Sequence, residues 1–151
     1  MLSLSSSKQL TDSFAAITQH EQTLIAPLLE YLTDKSQYEK GVRIVGEETS
    51  GPGRAPTISF IVQGRSSKDI VKAFDKTGKV VPFLDLPFQV EVTDISHRQM
   101  GIRYGHFYAF TLLSELEPKV DPEDGVVRVS LVHYNTVEEV ERIIEVFKSV
   151  L

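Results

Sequence analysis

GIRYGHFYAFTLLSELEPKVDPEDGVVRVSLVHYNTVEEVERIIEVFKSVL, residues Gly101–Leu151, reads as strand, helix, strand, helix, and each strand carries one arginine, Arg103 and Arg128. In the second strand Val127, Val129 and Leu131 point one way while Arg128 and Ser130 point the other. A strand of period two with one apolar face is normally half buried. Its other face places Arg128 among Val126, Ser130 and Val132 instead of a mixed solvated set. Such a face suits an anion or a second domain. Thr136 and Glu139 are spaced as a capping box for the last helix, with Val137, Val140, Ile144, Phe147 and Leu151 along one side. Ala109, Leu112, Leu113 and Leu116 give the preceding helix a core face, and Asp121–Gly125 is a turn.

Working outward, Pro82–Gln99 holds Phe83, Leu84, Leu86 and Phe88 interrupted by Pro87, then alternates at Val90 and Val92. A small hairpin is the expectation there. Ser66 and Asp69 resemble a capping box opening a short helix through Phe74 that stops at Thr77–Gly78. Gly41–Gly46 and Thr57–Gln63 read as strands joined by the turn-rich loop EETSGPGRAP. Gly51 and Gly53 are followed by no phosphate-loop lysine and no helix start, so that loop is a turn. Leu10, Phe14, Ile17, Leu24, Leu28 and Leu32 fall at helical spacing, with Thr11 or Asp12 as the cap and Pro27 as the expected kink. Met1–Lys8 is serine-rich and expected to fray. The whole predicts an α+β fold: a mixed or largely antiparallel sheet of about four strands with helices on one face.

With 151 residues the chain suits a single domain, 1–151. Sixteen basic and 21 acidic side chains leave a net charge of −5 and no basic block, which argues against nucleic acid. Zero cysteine excludes disulfides, thiolate catalysis and cysteine-ligated zinc by this chain, and fits a reducing, cytoplasmic setting. The N-terminus lacks a signal-peptide pattern, and no apolar run approaches the ~20 residues that span a bilayer, so no membrane partner is expected.

A guanidinium fork matches a carboxylate, which makes Arg128 the leading binding residue; pairing with a structural carboxylate is its other reading. Arg103 stands just before a predicted helix start, where an anion is favoured, though a surface pair accounts for it as well. His106, Tyr108 and Asn135 are candidate supporting residues, with local capping, aromatic packing and turn bonding as their ordinary roles. Lys68, Lys72, Lys76 and Lys79 read as a solvated face, none having apolar surroundings that would depress its pKa.

GIRYGHFYA followed by GVVRVSLVHYNTVEEVERI resembles the C-terminal end of class V aminotransferase-fold enzymes, the pyridoxal-phosphate family that includes cysteine desulfurases. The likeness extends more weakly through FAAITQHEQTLIAPLLEYL and GVRIVGEETSGPGRAPTISFIVQG. It is closest to desulfurase-like members lacking the catalytic cysteine, and Pro82–Gln99 departs from the family as a probable insertion, 82–99. The resemblance implies the small domain of fold-type I enzymes, with the cofactor lysine on an absent large domain. It implies that Arg128, within RxSLxxYNT, holds the carboxylate of an amino-acid-like substrate and that Arg103 is a second substrate-binding arginine. Tyr108 stands at about the position of the desulfurase cysteine. Pyridoxal phosphate is then expected for the full-length protein, bound covalently by no residue here, and catalysis by this chain alone is not expected. Its partner would be the missing large domain or a second copy. The rival reading is a free-standing module of similar fold that binds a small anion or a protein.

Overall fold

The computed structural model describes residues 3–77 and 102–151. The predicted hairpin and insertion at Pro82–Gln99, the helix stop at Gly78, and Lys79 lie outside the described residues. Along the chain run α1 (Ser3–Thr33), α2 (Lys35–Glu39), β1 (Val42–Val45), β2 (Thr57–Val62), α3 (Ser67–Lys76), β3 (Ile102–Gly105), α4 (Phe110–Ser114), β4 (Val126–Ser130) and α5 (Val137–Val150). The strands form one sheet in the order β1-β2-β4-β3, and all three pairings are antiparallel. The α+β expectation holds, and of its two sheet options the antiparallel one is realised.

Alternation explains the layering. Ile58, Phe60 and Val62 of β2 and Val127 and Val129 of β4 face the same way and join Leu24, Leu28 and Leu32 of α1, Ile70 and Phe74 of α3, and Val140 and Phe147 of α5 in one core. Phe147 sits at its centre, edge-on to Phe60 at 5.6 Å and tilted against Phe74 at 4.9 Å between ring centroids. Offset and edge contacts suit the ring quadrupoles, and such pairs add to the gain from burying apolar area. The opposite face carries a smaller cluster, Ile61, Leu113 and Val126, with Val45, Phe107, Leu116 and Val120 packed around it.

Several local expectations change. α1 starts at Ser3, so Thr11 and Asp12 lie inside it; the Thr11 hydroxyl donates to the Ser7 carbonyl one turn earlier, at 3.0 Å, and caps nothing. Each residue added to an existing helix gains one bond without a new nucleus, so α1 extends beyond its apolar stripe. Leu10 and Phe14 belong to that extension and are 59% and 60% exposed. α1 also continues through Pro27 as one helix, flanked by buried Leu24, Ile25, Leu28 and Leu29. α4 is only five residues long and buries Leu113 alone, leaving Leu112 58% exposed. In α5 the buried face uses Val140, Ile143, Val146 and Phe147, while Val137 is exposed. The Thr136–Glu139 capping box is present with both arms.

Asp124 closes the fold between the β4 turn and α3. Its carboxylate accepts from the Ser66 hydroxyl at 2.8 Å, the Ser67 amide at 2.5 Å and the Lys68 amide at 3.2 Å. The Ser67 hydroxyl donates to the Gly125 carbonyl at 3.0 Å. These bonds satisfy donors that the first turn of α3 leaves unpaired, and a negative charge at that end is favourable. Gly125, at φ +71°, packs so closely on Gly105 that a side chain would overlap its backbone.

Candidate functional site

β3 and β4 place Arg103 and Arg128 directly opposite each other. Ser59 of β2 is the partner of Arg128 on its other side. Directly paired residues in an antiparallel sheet share a face. Because Val127 and Val129 turn into the helix-covered core, Arg128, Arg103 and Ser59 lie on the opposite face. Arg128 is half-buried and Arg103 exposed. Burial, and secondarily the positive charge of Arg103, push the Arg128 pKa below its ordinary value. Both causes act against the charged form, and a bound anion would offset both.

The Arg128 guanidinium carbon lies 3.7 Å from the centre of the Phe107 ring. Phe107 arrives there through a left-handed turn: Phe107 has φ +46° and Tyr108 φ +63°. Single non-glycine residues in this region are uncommon, and two in succession mark a turn imposed by its surroundings. Tyr108 is consequently fully exposed instead of packed. His106 precedes the turn instead of sitting in a helical first turn; its Nδ1 accepts from the Tyr108 amide at 3.1 Å. Its ring is edge-on to Phe110 at 5.9 Å.

Asn135 lies apart from this group. Its Oδ1 accepts from the Val132 amide at 2.8 Å, and its Nδ2 donates to Glu139 Oε2 at 3.0 Å. Its backbone carbonyl pairs with His20 Nε2 of α1 at 2.9 Å. Those bonds tie the β4–α5 loop to the helical layer. Thus Arg128, Arg103, His106 and Tyr108 share the β3–β4 end of the fold, and Asn135 belongs to the helix junction.

Two contributors escaped the sequence reading. Phe107 had one faint signal, an aromatic residue two places after Gly105. Asp124 had none, because its bonds reach about 57 residues along the chain. A hollow of about 630 Å³ opens between the β2–α3 junction and the loop around Pro118–Asp121, but neither arginine lines it. Among the described residues, no cluster of His, Asp and Glu is arranged to hold a metal, and no helix is long and apolar enough to cross a membrane.

No family model matches the chain. Over 137 residues, 90% of its length, it is 42% identical to the aminotransferase-like protein FGM3 of Gibberella zeae, of which it spans 28%. It is 33% identical over 133 residues, 87% of its length, to the cysteine desulfurase-like protein ustD of Aspergillus flavus, and spans 25% of that protein. In fold it is similar to the cysteine desulfurase CsdA of Escherichia coli, with a TM-score of 0.54, 19% identity, and 87% of this chain and 24% of that one covered. A NifS-like protein of Rickettsia africae gives a TM-score of 0.53 at 18% identity, covering 93% of this chain and 30% of that one. The relatives are thus aminotransferase-like and cysteine desulfurase-like proteins, and the chain spans about a quarter of their length, an extent consistent with a C-terminal small domain.

Proposed function

We propose that this chain is a single domain, the C-terminal small domain of a pyridoxal-phosphate-dependent enzyme of the class V aminotransferase and cysteine desulfurase-like type, and that it binds the carboxylate of an amino-acid-like substrate. The observation that carries this reading is the opposed pair Arg103 and Arg128 on the sheet face away from α1, α3 and α5. Arg128 is the primary carboxylate ligand, because its planar fork is half-desolvated and a charged bidentate contact strengthens where water is excluded. Arg103 adds positive potential beside it, and His106 and Tyr108 flank the site.

The described residues do not fit a covalently held pyridoxal phosphate. Every described lysine is exposed, and the chain has no cysteine. A Schiff-base lysine needs surroundings that lower its pKa, and a desulfurase needs a thiolate. The cofactor and the bond chemistry are therefore assigned to a large domain, for which the unmatched three-quarters of the relatives leave room. A cytoplasmic setting belongs to the same proposal, since a protein without cysteine needs no oxidising compartment.

The test is Arg128→Lys in the complete protein. Losing a bidentate charged contact costs ~1.5–3 kcal/mol, so KM for a carboxylate-bearing substrate should rise roughly tenfold to a hundredfold. The cofactor absorbance should be unchanged. Arg103→Lys should cost less. An amine substrate without the carboxylate should barely respond to Arg128→Lys; equal damage to both substrates would make Arg128 a structural residue and end the carboxylate reading.

A further inference from the structure

We propose that Phe107 is the positioning residue of the arginine site: its ring sets the plane of the Arg128 guanidinium and leaves the N–H edge of that plane to a carboxylate. This rests on the carboxylate reading of Arg128 given above. The ring covers one face of the guanidinium at 3.7 Å. It is also held from behind, packed against the buried cluster of Ile61, Leu113 and Val126. A guanidinium attracted to a ring face and backed by a fixed core loses much of its rotational freedom before any ligand arrives. With a face occupied, the in-plane fork is the binding surface that remains, and a planar carboxylate is the anion that meets a fork with two parallel bonds. The left-handed turn separates the two adjacent aromatics: Phe107 comes over Arg128, whereas Tyr108 is left in solvent.

The experiment is side-chain NMR of the 151-residue chain with isotope-labelled arginine, titrated with acetate as the probe. Ring current from Phe107 should displace the Arg128 side-chain signals, and acetate should perturb them further. In Phe107→Leu that displacement should vanish, and acetate should bind about two- to tenfold more weakly, the range of a partly exposed cation–π contact. Phe107→Tyr should restore both. Phe107→Met, which fills similar space without a π face, should behave like Phe107→Leu and serves if leucine disturbs the fold; backbone amide spectra check that. Unchanged acetate affinity in Phe107→Leu or Phe107→Met, with binding still lost in Arg128→Lys, would overturn the role of Phe107 and leave the carboxylate reading standing. Acetate binding that survives Arg128→Lys, or no acetate response at Arg128 in the unaltered chain, would overturn both.

Discussion

On the side of the sheet that meets α1, α3 and α5, Phe60, Phe74 and Phe147 are fully buried, ring against ring. On the other side two arginines stand opposite each other, and the ring nearest Arg128 stacks on its guanidinium instead of on another ring. β4 serves both sides with alternate residues, Val127 and Val129 for one and Arg128 for the other. The difference separates two kinds of requirement. Apolar burial holds the domain together, while the charged face is held at some electrostatic cost, which a bound anion would offset.

The sharpest way to break this contrast is Phe147→Ala. Emptying the centre of the core should cost ~3–5 kcal/mol, read as a fall in the denaturant midpoint. A loss below ~1 kcal/mol would show that the helical face is not the stabilising one. Gly125→Ala comes next: the left-handed backbone alone costs about 1–3 kcal/mol in a non-glycine residue, and overlap with Gly105 adds to it. Asp124→Ala should cost about 0.5–2 kcal/mol, comparable to a lost N-cap, since its carboxylate accepts from the first-turn amides of α3. It sharpens the comparison because the bonds of Asp124 anchor the entry to β4, so Arg128 side-chain signals should shift as stability falls.

Arg128→Leu tests the opposite side of the contrast. Stability should change by no more than about 0.5 kcal/mol, since a half-buried guanidinium beside another is replaced by a side chain that still covers Phe107. Carboxylate binding should disappear. A large loss of stability would mean that the arginine face holds the fold as well. The smallest effect belongs to Asp34, the N-cap of α2. The Ser36 hydroxyl, and then the Ser36 amide, hold its carboxyl pKa below the ordinary value. A pKa lower in the folded state stabilises above the unfolded carboxylate's pKa and loses that contribution as pH falls through the folded one. Asp34→Ala should therefore lower the melting temperature slightly at about pH 7, and the difference should shrink as pH falls through the folded carboxyl's range.

β2, β4 and α5 were legible because their signals are local. Period-two alternation sorted Val127 and Val129 from Arg128, and Thr136 with Glu139 marked a helix start three residues wide. α4 misled because Leu112, Leu113 and Leu116 imitate a helical stripe, whereas the segment is too short to turn that stripe inward. α2 is five residues long and shows no periodicity to read. The arginine pair was visible residue by residue, and their opposition follows only from the β3–β4 register. The place of Phe107 depends on a positive φ in a non-glycine residue, which no residue type announces.

α1 adds a constraint of phase. Leu24 to Leu32 lock one end of the helix to the sheet, and Leu10 and Phe14 ride on the same rod ahead of it. The azimuth and height of those two exposed side chains are thereby set by a residue count. One alanine inserted between Phe14 and Leu24 would swing them by about 100° and advance them about 1.5 Å. Seven would bring them back to within about 20° of their bearing, but about 10 Å farther out. Insertions in this helix act as rotations of whatever it carries.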